Sequence, residues 1–180
     1  MDDPRHIVYF DLETQKAADE VGGWDNKHLM RMSIGVTYDT QEGEYRAYEE
    51  DDAPRLIDRL KSADIVVGYN VINFDYGVLK GYTDFDFARV KTCDMMVELT
   101  KLLGFRPKLE SVASATLNEG KSADGLAALR WFKEGEFAKI ALYCKEDVRI
   151  TKEVYEFGHK NKFVYITDRA LGKRKVEVDW

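Results

Sequence analysis

The sequence predicts an α/β fold, with a mixed sheet flanked by helices and a β-hairpin at the C-terminus. Three observations predict it: the first third alternates short β-branched and aromatic runs with turn residues, the middle carries helical apolar periodicity, and strand patterns return after Gly158. Strands that precede and interrupt helices in this order favour one mixed sheet packed against helices. The 180 residues fit a single domain, 1–180, with a core over about 6–157 and a hairpin over about 158–180.

The predicted strands are short runs rich in β-branched and aromatic residues. The second of them alternates cleanly, with Met32, Ile34 and Val36 on one face. Turn residues at 39–43 join it to a return strand, and a turn at Leu171-Gly172-Lys173 joins the last two strands. The six predicted strands cover residues 6–12, 32–38, 44–48, 65–69, 163–166 and 176–178.

The predicted helices follow from apolar residues spaced three and four apart. The first opens at Asp52, a plausible N-cap, with Pro54 in its first turn. The longest begins at Phe137 and places Tyr143, Asp147 and Val148 on neighbouring faces. The remaining predicted helices cover residues 74–80, 93–103, 109–117 and 125–132, and the longest ends at about Phe157.

Composition excludes several classes of protein. Lys plus Arg is 27 and Asp plus Glu is 33, so the net charge is −6 and the pI is about 5.2; this argues against a protein that holds nucleic acid by bulk positive charge or binds anionic membranes. No apolar stretch approaches the roughly 20 residues that span a bilayer, and no signal peptide precedes the first strand, so we expect a cytoplasmic protein with no membrane partner. Cys93 and Cys144 form no Cys-x-x-Cys pair, so we expect two buried thiols.

Two carboxylates stand at the end of the first strand. Asp11 and Glu13 are two residues apart, which puts both side chains on one face of a strand. Neighbouring carboxylates repel each other and raise each other's pKa unless a cation lies between them. A divalent metal ion would satisfy the pair, whereas a solvated strand end is the simpler interpretation of an isolated Asp-x-Glu.

Further acids could join this pair. Asp75 follows the buried strand at 65–69, where active sites of α/β folds form, although a helix cap is the simpler role for it. Tyr143 and Asp147 share one face of the longest helix, and a salt bridge to Lys145 or Arg149 is the simpler role for Asp147. If Asp11, Glu13, Asp75 and Asp147 converge, they form an all-oxygen site suited to Mg²⁺ or Mn²⁺ and to two-metal phosphodiester chemistry.

Three motifs in order resemble the DEDD 3′–5′ exonucleases. Asp11-Leu12-Glu13-Thr14 resembles their first motif, residues 70–75 (NVINFD) resemble the second in the form found in proofreading domains of family B DNA polymerases, and residues 143–147 (YCKED) resemble the third in its Tyr-x-x-x-Asp form. The stretches around Thr92-Cys93-Asp94 and residues 109–113 are also similar to that domain. The histidine form of the third motif would need a His in place of Leu142, so the resemblance is to the tyrosine subclass.

This resemblance implies a ribonuclease H-like fold and a 3′–5′ exonuclease that releases nucleoside monophosphates from a single-stranded DNA or RNA 3′ end. It implies two divalent metal ions, Mg²⁺ or Mn²⁺, held by the four carboxylates, and a Tyr143 that orients the attacking water. Because a tyrosine hydroxyl titrates near pH 10, orientation suits it better than acting as the sole base. No polymerase domain follows the motifs in this sequence, so we expect any proofreading to need a separate partner; action alone, in repair, or beside a polymerase or helicase stays open. The residues implied to contact substrate are Leu12, Thr14, Asn70 and Phe74.

Two alternatives remain beside the exonuclease. A ribonuclease H-like endonuclease or a non-catalytic nucleic-acid-binding module would share the fold. Residues 115–122 (ATLNEGKS) resemble a relaxed phosphate loop, but its first glycine is replaced by Ala115 and a predicted helix precedes it where the mechanism needs a strand. We therefore interpret Lys121 as a loop lysine near the substrate phosphate.

The C-terminal hairpin departs from the resemblance. Between Gly158 and Lys175 the chain has six basic residues, and Asp168 is the one acid. Such a hairpin could follow a phosphate backbone, or its lysines could protect an exposed sheet edge from aggregation.

Overall fold

A five-stranded mixed sheet forms the centre of the fold, in the strand order β3-β2-β1-β4-β5. The structure, a computed structural model, describes residues 5–119, 125–168 and 172–180. Strand β1 lies in the middle, antiparallel to β2 and parallel to β4, while β2 pairs with β3 and β4 with β5. The strands are β1 (Ile7–Thr14), β2 (Met32–Asp39), β3 (Glu44–Glu49), β4 (Ile65–Gly68) and β5 (Thr92–Asp94).

Helices cover both faces of this sheet and bury two apolar clusters against it. Helices α1 and α2 pack on one face, whereas α3, α4, α6 and a separate two-stranded hairpin pack on the other. None of the helices in the described part of the chain is long and apolar enough to cross a bilayer. The helices are α1 (Ala53–Ser62), α2 (Asp75–Leu79), α3 (Met95–Leu103), α4 (Leu109–Leu117), α5 (Gly125–Lys133) and α6 (Phe137–Asn161), and the hairpin consists of β6 (Phe163–Asp168) and β7 (Gly172–Glu177).

Strand β1 is buried on both faces and decides which way the first two acids point. Its even-numbered residues Val8, Phe10 and Leu12 join the cluster under α1 and α2. Its odd-numbered residues Ile7 and Tyr9 join the cluster under α6. Because side chains alternate along a strand, Asp11 and Glu13 continue the row that faces α6.

The predicted fold class is confirmed, and one element was missed. The helix predicted over 93–103 begins at Met95, because Thr92, Cys93 and Asp94 form β5 beside β4. A strand of three residues is too short to show a period, so the sequence pattern merged it with the following helix. The side chain of Asp94 ends the strand and caps the helix by accepting from the N–H groups of Met96 and Val97.

The C-terminal boundary also differs from the prediction. Helix α6 continues past Phe157 to Asn161 and includes Gly158, whose missing side chain leaves room for the Trp180 indole. A Cβ on Gly158 would meet the indole nitrogen at 2.5 Å. The second hairpin strand is Gly172–Glu177 rather than 176–178, so Gly172 and Lys173 belong to a strand and not to the predicted turn, of which Leu171 lies outside the described residues.

Other boundaries shift by one or two residues. Strand β1 extends to Thr14, α2 spans Asp75–Leu79, and α4 is as predicted. Asp52 makes no capping hydrogen bond to α1 and is held instead by Arg55 at 2.9 Å, although Pro54 does lie in the first turn.

Candidate active site

The end of β1 carries the first two acids of the candidate site. Asp11 and Glu13 pair with Val36 and Ile34 of β2, and the register shifts between Glu13 and Thr14. An irregularity of this kind changes the direction of side chains at a strand end and is common beside active sites. Both carboxylates are half-buried on the face of the sheet that α6 covers.

Helix α6 brings a third acid to the same place. One carboxylate oxygen from each of Asp11, Glu13 and Asp147 lies within 4.8 Å of the other two. The helix is seated on the strand through Cys144, whose buried thiol lies 3.3 Å from the carbonyl oxygen of Asp11. Tyr143 precedes Asp147 by one helical turn, and its hydroxyl lowers the pKa of the Asp147 carboxyl against the effect of burial.

The fourth predicted acid lies beside this group. Asp75 is buried at the start of α2, and its Oδ1 accepts from the backbone N–H of Leu12 at 3.0 Å. That bond ties the loop after β4 to the strand between Asp11 and Glu13. The structure therefore brings three of the four carboxylates within 4.8 Å of one another and fixes Asp75 close enough for its charge to act on Asp11 and Glu13.

Electrostatics mark the cluster as a place for a cation. Desolvation raises the pKa of Asp11 well above its usual value, and the charges of Asp75, Glu13 and Asp147 raise it further. The pKa of Glu13 is raised by desolvation and by Asp147 and Asp75. Burial raises the pKa of Asp75 to about 8, and desolvation raises that of Asp147 to about 6 against the hydrogen bonding of Tyr143. Among the described residues, no basic side chain contributes to the pKa shifts of Asp11 and Glu13. Carboxylate oxygens are the hard ligands that Mg²⁺ and Mn²⁺ prefer, so this cluster fits such ions.

Tyr143 is held in its neutral form. Desolvation raises the pKa of its hydroxyl, and the charges of Asp147, Glu13 and Asp11 raise it further. Its ring packs edge-on against Trp131 of α5, with 6.0 Å between the ring centroids. A protonated hydroxyl fixed at this position can donate or accept a hydrogen bond but does not act as a base near neutral pH.

The structure does not show the salt bridge that was the simpler role for Asp147 or the helix cap that was the simpler role for Asp75. Arg149 binds Glu119, Glu146 and Glu153 instead of Asp147, and Lys145 lies over the Tyr45 ring at 4.9 Å. Asp75 starts α2, but its Oδ1 reaches across to β1 and not along its own helix. Neither residue is therefore accounted for by the surface or capping role.

Asp94 is a site residue that sequence reasoning did not assign. Its buried carboxylate accepts from the backbone N–H groups of Asn70 at 2.8 Å and Ile72 at 3.0 Å, in addition to capping α3. Asn70 has a left-handed φ of 67°, so the loop that leads to Asp75 depends on this anchor. In the sequence, Asp94 is an acid that precedes an amphipathic helix. That pattern predicts a helix cap but does not predict that the loop of Asn70 and Ile72 also binds the Asp94 carboxylate.

The predicted substrate contacts lie in different environments. The side chains of Leu12 and Thr14 are buried, Thr14 donates to the carbonyl of Lys16, and the backbone N–H of Leu12 donates to Asp75. Asn70 is half-buried and accepts from Arg106 at 2.9 Å. Phe74 is half-buried on the apolar cluster under α2. Lys121 lies outside the described residues.

An exposed aromatic ring lies beside the second motif. Trp24 is 64% exposed, and its ring contacts that of Phe74 edge-on at 6.1 Å. Near this pair, a groove of about 790 Å³ is lined by Asn73, Lys27 and Lys80 among others. Trp24 sits in a loop of short turns with no strand or helix period, so its position next to Phe74 could not be predicted from the sequence.

Comparison with known proteins decides the family. A model of the RNase_H superfamily matches residues 8–157, a range that contains the four carboxylates of the candidate site and Tyr143. The chain belongs to the RNase_H superfamily. No curated protein matches the sequence. Proteins with an RNase H-like fold are generally nucleases, and the acidic group at the end of β1 lies within the matched region.

A solved structure shows the same fold in a larger protein. The family B DNA polymerase from the hyperthermophilic archaeon Pyrobaculum calidifontis is similar with a TM-score of 0.63 and 17% sequence identity. The match covers 87% of this RNase H-like chain but 25% of the polymerase chain. The similarity therefore concerns the fold of one part of that polymerase. Helix α4 contains residues 115–117 and the turn before them, so a helix stands where a phosphate loop needs a strand, and residues 120–122 lie outside the described part of the chain.

Proposed function

We propose that this protein is a metal-dependent 3′–5′ exonuclease that hydrolyses the terminal phosphodiester bond of a single strand and releases nucleoside monophosphates. One observation carries the proposal. Carboxylate oxygens from the central strand β1 and the long helix α6 lie within 4.8 Å of one another. Each negative charge raises the pKa of its neighbours, and no positive charge among the causes of the Asp11 shift offsets it. A divalent cation is the missing neutralising charge, and the superfamily's chemistry gives that cation a use.

Asp11, Glu13 and Asp147 would hold Mg²⁺ or Mn²⁺, and Asp75 stands next to them as a ligand for a second ion. When bound, two such ions supply Lewis acidity at the attacking and leaving oxygens of a phosphodiester. The protein's part is geometric. Strand β1 and helix α6 are fixed to each other through Cys144, and the loop before α2 is fixed to β1 through the Leu12 N–H, so the four carboxylates keep their spacing.

Tyr143 would orient the attacking water. Its hydroxyl is neutral and lies one helical turn from Asp147, so it can both donate a hydrogen bond and accept one from a water molecule at the cluster. Because the hydroxyl keeps its proton over the physiological pH range, we assign it orientation and not proton abstraction.

A frayed single-stranded end suits the surroundings of the site. The Trp24 and Phe74 rings offer surfaces on which bases stack without sequence readout, and the groove beside them is lined by two lysines, Lys27 and Lys80, and by two acids, Asp25 and Asp86. The acidic protein would then hold DNA or RNA at its end through the ions and a few contacts, with a separate polymerase or helicase supplying such ends.

Labelled oligonucleotides test the proposal. Single-stranded DNA and RNA carrying a 5′ label, a 3′ label or a blocked 3′ end are incubated with Mg²⁺, with Mn²⁺ and with chelator. We expect the 3′ label to leave first as a mononucleotide, the 5′ label to give a descending ladder, and chelator to stop both. Equal cleavage of the blocked strand would instead establish an endonuclease, and binding without any cleavage would establish a non-catalytic module.

A further inference from the structure

The outward face of the C-terminal hairpin carries an aromatic row beneath lysines. The hairpin buries Val164, Ile166 and Val176 against the core and turns its other residues to the surface. On that surface the rings of Phe163 and Tyr165 meet edge-to-face at 5.3 Å, and Phe163 also contacts Phe157 of α6 at 5.6 Å. We call these three rings and the lysines beside them the aromatic face.

Two lysines of β7 cover the rings of β6. The ammonium group of Lys175 lies 4.0 Å from the centre of the Phe163 ring, and that of Lys173 lies 4.5 Å from the centre of the Tyr165 ring. Lys173 and Lys175 are exposed, while both rings are half-buried. Both cation–π contacts are made within the protein, so a ligand that carries phosphate and a base would pair with the two lysines and displace them from the ring faces on which its bases stack.

These charges lack acidic partners in the described part of the chain. Some exposed lysines elsewhere, such as Lys61 with Asp58 and Lys101 with Glu98, bind a carboxylate within 3.0 Å. Among the described residues, no carboxylate lies within 4.0 Å of Lys173 or Lys175, although Glu177 stands two residues along the same strand. In a chain of net charge −6, an unneutralised cationic face is a selective place for a polyanion.

We propose that the aromatic face is a second binding site for single-stranded nucleic acid, which holds the strand several nucleotides upstream of the end being cut. Bases would stack on the rings of Tyr165 and Phe163, and phosphates would pair with Lys173 and Lys175. The proposal rests on the exonuclease function for its biological use, but the binding itself needs no catalysis. Edge protection alone would require the lysines and not the row of rings beneath them.

Binding in chelator separates the two proposals, because it does not need turnover. Fluorescence anisotropy is measured with labelled oligothymidylates of about 4 and about 30 nucleotides. The variants are a Lys173→Ala/Lys175→Ala double mutant and a control, Arg55→Ala/Lys61→Ala, that removes the same charge from α1 on the other face of the sheet. Thermal unfolding checks that each variant folds.

We expect the hairpin double mutant to bind the long strand at least about fivefold more weakly, and its salt dependence to fall by about 1.4 in log–log slope for two lost phosphate contacts. The short strand and the control should be unaffected, and Lys173→Arg/Lys175→Arg should restore binding. Unchanged affinity for the long strand, equal losses with both strands, or an equal loss in the control would overturn the proposal. A change in oligomeric state on mutation would instead assign the face to pairing between copies and would also overturn it.

The exonuclease assay reads independently of this result. If the wild-type protein degrades strands but the double mutant does so with the same KM for long substrates, the hairpin proposal fails alone. If the wild-type protein degrades nothing yet binds long strands through Lys173 and Lys175, the catalytic proposal fails alone.

Discussion

The thiol of Cys144 lies 3.4 Å from Oδ2 of Asp11 and 3.3 Å from its carbonyl oxygen. A small residue at this point lets α6 approach β1 closely enough for Asp147 to reach Asp11. Burial and the charge of Asp11 raise the pKa of the Cys144 thiol, so it remains a protonated donor. The contact is thus a packing device that sets the spacing of the carboxylates.

Thiol labelling tests that arrangement. Burial raises the pKa of Cys93 to about 12 and that of Cys144 upward as well, and both side chains are buried. We therefore expect neither cysteine to react with a thiol probe at pH about 8 in the folded protein, and both to react in denaturant. Rapid labelling of Cys144 in the folded state would contradict the close seating of α6 on β1.

Repulsion among the acids should make the metal-free protein less stable as the pH rises. The folded-state pKa values are raised, to about 6 for Asp147 and about 8 for Asp75, so their stabilising contribution exists below the unfolded values and is lost as pH rises through the folded ones. We expect the free energy of unfolding in chelator to fall between pH about 4 and about 8. Urea titrations over this range measure it.

Substitution at the centre of the cluster should reverse this loss. At neutral pH, Asp11→Asn should stabilise the chelated protein by at least about 1 kcal/mol while abolishing turnover, because it removes a charge that three acids oppose. Mg²⁺ should raise the melting temperature of the wild type and not of this variant. Asp58→Asn on α1 is the matched control, and an equal gain there would show that general surface charge is responsible.

Removing the Tyr143 hydroxyl should slow the reaction without loosening the fold. Tyr143→Phe keeps the ring against Trp131 but loses the hydroxyl that lowers the pKa of Asp147. We expect kcat to fall about a hundredfold with KM and the melting temperature nearly unchanged. Tyr45→Phe is the control, because Tyr45 lies on the edge strand β3 beneath Lys145. An activity like that of the wild type would remove Tyr143 from the site.

Asp94 should matter more than an ordinary helix cap. Asp94→Asn weakens hydrogen bonds to the loop of Asn70 and Ile72 as well as to α3, so we expect a loss of about 2 kcal/mol in unfolding free energy together with reduced kcat. Asp86→Asn is the control, because Asp86 caps a short turn at the surface through Ala88 alone and should cost less than about 1 kcal/mol. Equal effects would mean that Asp94 is a cap and nothing more.

Whether an element or a contact could be predicted from the sequence depended on how far apart in the chain the interacting residues lie. Residues 109–117 were predicted as a helix and are one, because their periodicity is local. Strand β5 was missed because three residues show no period and its pairing with β4 joins distant segments. The convergence of Asp11 and Asp147 was predicted from the order of the three motifs, because no local pattern indicates that residues 136 positions apart lie close together. The anchoring role of Asp94 and the position of Trp24 depend on loop contacts that leave no such pattern.

Anomalous diffraction from crystals soaked in Mn²⁺ tests the central claim most directly, because it locates the ion itself. We expect a peak at about 2.1 Å from carboxylate oxygens of Asp11, Glu13 and Asp147, which vanishes in Asp11→Asn crystals treated identically. A Mn²⁺-dependent enzyme whose ion binds elsewhere, or whose cluster stays free of the ion at saturating Mn²⁺, would contradict it.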